Sequence, residues 1–134
     1  MLPVPQLPDR ILSFFEKRIA ALTVAGIPRE RLILDPGMGL FLGTDADGSF
    51  TVLRNLSRLK QAFGLPVLVS VSRKSFLRRL TGRGKEEAGG ATLAAELFAA
   101  AQGAEYIRTH EPAPLKDALA VWRALASETD RNPA

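Results

Sequence analysis

Ser70-Val71-Ser72-Arg73-Lys74-Ser75-Phe76 joins an apolar run, Val67-Leu68-Val69, to the start of a helical pattern. Alternate side chains of an extended chain share one side, so Ser70, Ser72 and Lys74 point together. A helix opening near Ser75 adds free backbone N–H groups and the positive end of its dipole beside the Lys74 ammonium. Such a corner suits a carboxylate or a phosphate. Taken alone, it fits a polar turn with a solvated Arg-Lys pair better. Arg108 and His110 are two residues apart and share a face if their strand extends that far. A guanidinium fork beside an imidazole donor suits a phosphate or diphosphate clamp. His110 is the only histidine, which leaves no His-cluster metal site. Asp35 closes the apolar run Leu32-Ile33-Leu34 and precedes Pro36-Gly37. Its carboxylate can accept paired N–H bonds from an amino-bearing heterocycle, or cap its own loop.

These residues fall at corresponding places in a repeated unit of helix, glycine, strand and polar strand end. The glycines are Gly26, Gly64 and Gly103. Pro3, Pro5 and Pro8 make residues 1–8 an extended lead-in, and Asp9 caps a first helix carrying Ile11, Phe14, Phe15, Ile19 and Leu22. Arg31–Asp35 reads as a buried strand, followed by a Gly-rich loop to about Gly48. Ser49 caps a second helix running to Phe63. Val67–Val71 is the second strand, Ser75 to about Leu80 a short helix, and Glu86–Gln102 a third long helix. Glu105–Arg108 is the third strand, Pro114–Ser127 the last helix, and residues 128–134 a tail. Strands alternating with helices imply parallel pairing through right-handed crossovers. Barrels and open sheets of this kind both place their sites beyond the strands' C-terminal ends. Asp35, Ser72, Lys74, Arg108 and His110 all sit there.

The 134 residues suit one domain, with 46% hydrophobic and 24% charged residues, an ordinary globular balance. No cysteine is present, so disulfides and Cys-based zinc sites are excluded and a reducing compartment is compatible. No apolar run approaches a membrane span, and Met1-Leu2-Pro3-Val4-Pro5 lacks the features of a secretory signal. A cytoplasmic protein is expected. The net charge of +4 concentrates in Arg73, Lys74, Arg78, Arg79, Arg83 and Lys85, with only Phe76 interleaved. That favours small anionic ligands over nucleic acid, which needs stacking aromatics along a basic groove. Gly37–Gly43 fails the dinucleotide spacing because position 42 is Leu, and Glu86-Glu87 reads as surface.

Three stretches, Leu34-Asp35-Pro36-Gly37-Met38-Gly39, Val69 to Phe76 and Ile107-Arg108-Thr109-His110, resemble the last three strand-end motifs of dihydropteroate synthase. Order and spacing agree, as do Thr92-Leu93-Ala94 and Gly103-Ala104 between them, and the resemblance runs from about Asp9. It implies an α/β fold, a partial (β/α)8 TIM barrel with three parallel strands alternating with about four helices. Residues 1–134 would be the C-terminal half of a pterin-binding domain, since a complete barrel takes roughly 250 residues. That family, a sulfonamide target, joins 6-hydroxymethyl-7,8-dihydropterin diphosphate to p-aminobenzoate, giving 7,8-dihydropteroate and diphosphate in folate biosynthesis.

Carried over, the resemblance implies that Asp35 holds the pterin's amino and ring N–H edge. Lys74 reaches the pterin carbonyl near the reacting centre, Ser72 and the following helix start receive the p-aminobenzoate carboxylate, and Arg108 and His110 grip the leaving diphosphate. Ser70 stands where many members have glycine, and the Met38–Gly43 loop departs from the commoner form. The family's Mg²⁺ ligand and two mobile loops belong to its first half, so Mg²⁺ is expected with no ligand on this chain. Catalysis is then expected to need the missing strands, from a longer chain, a second polypeptide or a homodimer. Rival readings are a non-catalytic pterin-binding module and a methyltetrahydrofolate methyltransferase-like barrel. Methyl transfer has no diphosphate for Arg108 and His110 to hold.

Overall fold

Proline lacks an N–H and is best tolerated in a helix's first turn, where that donor has no partner anyway. Pro8 occupies this place in α1, Leu7–Val24. The computed structural model describes residues 6–38 and 46–130. Leu7 and Pro8 are thus helical and not part of an extended lead-in. Asp9 lies inside the first turn, where it pairs with Arg58 at 2.6 Å instead of capping. Phe15 and Ile19 are buried, with Phe15 edge-on to Phe63.

The strand expected over Arg31–Asp35 shrinks to one parallel bridge, Leu34 with Val67. Pro28 opens a 3-10 turn, Arg29–Arg31. The amides of Arg31 and Leu32 donate back to Pro28 and Arg29 at 3.0 and 3.1 Å, so they are lost to a ladder. Past Leu34, the Asp35 carboxylate accepts from Gly37 N–H and turns the chain. β1, Leu68–Val69, and β2, Tyr106–Ile107, pair in parallel with Leu68 opposite Tyr106. Backbone bonds extend this pairing: Leu34 N–H to Pro66 at 2.8 Å, Leu68 N–H to Leu34 at 2.8 Å and Arg108 N–H to Val69 at 3.0 Å. Three segments therefore lie side by side with their C-terminal ends at one edge, an α/β arrangement. Val67, Val69 and Val71 are fully buried, while Leu68 and Ser70 on the alternate face are half-buried.

The helices between the segments start and stop differently from expectation. α2, Ala46–Arg54, begins before Ser49, which lies within the helix and is buried rather than capping it. The chain breaks at Asn55, whose amide side chain donates to the Thr51 carbonyl at 2.8 Å, before α3, Leu56–Phe63, resumes. Local side-chain bonding of this kind competes with the helix ladder. α4, Ser75–Thr81, ends at Gly82 in the left-handed region. Lys85–Glu87 forms a 3-10 turn, so α5, Gly89–Ala101, starts later than Glu86. α6, Pro112–Asp130, is longer at both ends than expected and takes in residues 128–130 of the presumed tail. The described residues thus hold six α-helices where about four were expected.

Leu34, Leu53, Leu56, Leu59, Phe76 and Leu77 close the core around the valines of the central segment, with Phe50 edge-on to Phe76 at 5.0 Å. At the N-terminal edge, the Glu105 carboxylate accepts from Val67 N–H at 2.8 Å and pairs with Lys60. Two polar side chains of α5, Thr92 and Glu96, are 3% and 1% exposed. Burial pushes the Glu96 carboxyl above its ordinary pKa; a hydrogen bond from Thr109 opposes the rise and the Glu111 charge adds to it. Among the described residues, no helix is long and apolar enough to cross a membrane.

Gly103 has φ +102°, and an added Cβ would lie 2.8 Å from the Lys60 side chain. Gly103→Ala is expected to cost about 1–2 kcal/mol, mainly through the backbone, as read from urea unfolding. The buried Glu96 predicts a pH signature. Below the carboxyl range it is protonated folded and unfolded and has no effect. As pH rises, the unfolded chain ionises first, so stability falls until the folded carboxyl also ionises. Glu96→Gln is expected to remove this fall, gaining on the wild type as pH climbs through that window; a constant difference would contradict it.

Candidate anion-binding site

The parallel segments end together, and a hollow of about 730 Å³ opens beyond them. Arg73, Lys74, Arg78, Arg79, Lys85 and Arg108 line it together with Ser72 and His110, and among the described residues no Asp or Glu lines it. Cations converging without acids make a site selective for anions. Arg and Lys play distinct parts there: the guanidinium offers a planar fork, the ammonium a compact point charge.

A turn places the first group. Lys74 N–H donates to the Val71 carbonyl at 3.1 Å, closing Val71-Ser72-Arg73-Lys74. Its third residue, Arg73, has φ +57°, the left-handed region that such a turn requires and that normally selects glycine. Arg73 N–H donates to the buried Thr92 hydroxyl at 3.0 Å, and its guanidinium lies 3.7 Å from Glu111. Beyond the turn, Lys74 takes an extended conformation at the N-cap of α4.

The second group follows β2. Arg108 is exposed but its backbone still bonds to Val69. His110 N–H donates to Ser72 Oγ at 3.2 Å, and Ser72 Oγ lies 2.7 Å from His110 Nδ1. The two strand ends are therefore stitched together by one serine. A hydroxyl has two acceptor lone pairs and one donor. If Nδ1 carries a proton, Ser72 Oγ accepts from both His110 nitrogens and its own O–H remains available to an anion.

Of the residues singled out from the sequence, Ser72, Lys74, Arg108 and His110 line the hollow. Asp35 does not: it is exposed, and its Oδ1 accepts from Gly37 N–H at 2.9 Å, the loop-capping use open to it from the start. Met38, three residues on, does line the hollow and is buried. The Gly39–Gly43 part of the glycine-rich loop, with Phe41, falls outside the described residues. Glu86 and Glu87 are exposed as expected, with Glu87 pairing to Arg83 at 3.1 Å. Among the described residues, no three His, Cys, Asp or Glu side chains come together as a metal site. These residues alone do not fit Mg²⁺.

Sequence reasoning missed Thr92 and Glu96 as supports of the site. A signal existed: in Ala91-Thr92-Leu93-Ala94-Ala95-Glu96-Leu97, two polar residues four apart sit on one face of an otherwise apolar helix. The left-handed Arg73 carried no signal, because arginine gives no hint of positive φ.

Residues 6–110 match the family model described as pterin binding enzyme. A dihydropteroate synthase type-2 of Escherichia coli is 61% identical over 129 residues, covering 96% of this chain and 47% of that protein. The structure of Xanthomonas albilineans dihydropteroate synthase with 4-aminobenzoic acid superposes with a TM-score of 0.84 at 38% identity, covering 90% of this chain and 43% of the other. A complex of that enzyme with 7,8-dihydropteroate gives the same TM-score at 37% identity, covering 93% and 48%. The chain thus spans about half the length of the curated relatives it matches. With the matched stretch holding Ser72, Lys74, Arg108 and His110, the four residues expected from the sequence that line the hollow, the chain belongs to the pterin binding enzyme family.

Proposed function

We propose that this chain forms the C-terminal half of a dihydropteroate synthase barrel and carries the half of its site that holds anions. The observation that carries this reading is the convergence of Lys74, Arg108 and His110 on a cation-lined hollow at the ends of parallel segments. The 61% identity to a dihydropteroate synthase supplies the substrate class. In the reaction, the p-aminobenzoate nitrogen attacks the pterin's exocyclic methylene carbon. The bond from that carbon to diphosphate oxygen breaks, and the amine loses a proton. Negative charge grows on the departing diphosphate, and donors aimed at that charge lower the barrier.

Arg108 and His110 fit this role, since both face the hollow and Ser72 holds the His110 ring. Lys74, across the hollow on the turn before α4, suits the pterin carbonyl at the reacting centre. The Ser72 O–H, left available when His110 Nδ1 is protonated, suits the p-aminobenzoate carboxylate. Asp35 would have to release Gly37 N–H to reach the pterin's amino edge, or share its second oxygen with it. The family's Mg²⁺ would take its ligands from beyond the residues described here. The remaining strands would come from further chain, a second polypeptide or a second copy.

Binding tests the anion half directly. Pterin diphosphate is expected to bind at least tenfold more tightly than the plain pterin, and Arg108→Ala to remove most of that advantage, about 1.5–3 kcal/mol for a charge-assisted bond. Calorimetry showing equal affinities would favour the methyltransferase-like alternative. Turnover tests the enzyme. Diphosphate release dependent on p-aminobenzoate is expected only when the other half of the barrel is supplied, and to fall about 100-fold with Lys74→Ala. Release by a strictly monomeric form of this chain would overturn the half-site reading.

A further inference from the structure

We infer that Thr92 and Glu96, two buried residues of α5, are positioning residues that hold the two cation-bearing turns of the hollow at a fixed separation. They lie four apart, one helical turn, and so project from one face of α5. Each reaches a different turn. The Thr92 hydroxyl accepts Arg73 N–H at 3.0 Å, inside the turn that leads to Lys74. Glu96 faces the Thr109 side chain, between Arg108 and His110, closely enough for that side chain to act on its carboxyl. The Thr109 hydroxyl accepts Glu111 N–H at 3.2 Å and so shapes the second turn itself.

Both anchors look ill-suited to a core role alone. Arg73 at φ +57° is a conformation that L residues adopt at a cost, so the turn persists only if something over-determines it. The buried Thr92 oxygen supplies that restraint. Glu96 is 1% exposed and its Oε2 has no hydrogen-bond partner. An apolar side chain would pack there without that orphaned oxygen, so the carboxyl's one visible service is to Thr109. Ser72 and His110 then tie the two turns to each other. The cations on these turns repel one another, and a turn free to swing would carry them apart. A helix face is a rigid ruler for keeping them in place.

The inference takes its purpose from the proposed anion site but stands on hydrogen bonds that can be followed without any ligand. Four variants separate positioning from mere stability: Thr92→Val and Glu96→Leu remove the anchors, while Thr92→Ser and Glu96→Gln keep an acceptor in each place. Amide exchange at Arg73 and the ring nitrogen shifts of His110 report the two turns, and calorimetry with inorganic pyrophosphate reports the hollow. Thr92→Val is expected to speed exchange at Arg73 about fivefold or more beyond any change at core amides, and Glu96→Leu to move the His110 signals. Both should weaken pyrophosphate binding by at least about fivefold, with Ser and Gln restoring it. Exchange and ring shifts unchanged in the apolar variants would overturn the inference, as would Ser and Gln variants that behave like them. Should an apolar variant not fold, loss of His110 order in Thr109→Val against its retention in Thr109→Ser decides the same point. Wild-type chain that binds no pyrophosphate would instead count against the anion site, and the exchange data would still judge the anchors.

Discussion

Like charges held together are the constraint on which the rest of this structure depends. Six Lys and Arg side chains line one hollow, and among the described residues no carboxylate lines it. Two unit charges 4 Å apart cost about 1 kcal/mol in water and about 4 kcal/mol at the effective dielectric of a protein surface. Nothing in the side chains themselves draws such a group together. The backbone must do it, and it does so by ending parallel segments at a common edge. Leu34, β1 and β2 run the same way, so the turn after each opens on one side. An antiparallel arrangement would have sent alternate turns to opposite edges and separated Lys74 from Arg108.

Direction alone leaves the turns free to splay, and hydrogen bonds close that freedom. Ser72 receives His110 N–H while sitting at hydrogen-bond distance from its ring, so the two strand ends share one oxygen. α5 lies behind both and contacts each through a buried polar atom. Among the described residues, Ser72, Thr92 and Glu96 are buried polar side chains beside the site, while Ser49 and Thr51 are buried on α2. Glu111 supplies a counter-charge 3.7 Å from Arg73 and lies outside the described lining of the hollow. The result is a cationic array whose turns are tied by hydrogen bonds within the chain itself.

Much of this was legible in the residues. The apolar run Val67-Leu68-Val69 announced a strand, and the glycines at the helix ends marked the units. Gly64, for instance, ends α3 at φ +62°. Parallel pairing followed from the order of elements, and with it the gathering of Ser72, Lys74, Arg108 and His110. Three kinds of information were not legible. Strand length depends on neighbours: Arg31 and Leu32 had the composition of a strand, but Pro28 drew their amides into a turn. Helix continuity at Asn55 turned on a single side-chain bond to Thr51. The use of Asp35 depended on which of two local partners took the carboxylate, and Gly37 took it.

Asp35 also shows where binding and turnover part company. The cations of the hollow can attract a diphosphate from one side without further help, because Coulomb attraction is tolerant of orientation. Joining an amine to a methylene carbon is not tolerant: reactants must meet at about 3–3.5 Å in alignment, and such positioning accounts for about 7–11 kcal/mol of a barrier. The heterocycle would need fixing by groups that specify its edge, and here the Asp35 carboxylate is turned onto its own loop. Met38, three residues on, already lines the hollow. In the proposed half-site, whatever covers the open side of the hollow would have two tasks, orienting the ring and turning Asp35 toward it. The anion-binding wall performs neither, which is why a strong diphosphate site and a competent synthase need not be the same assembly.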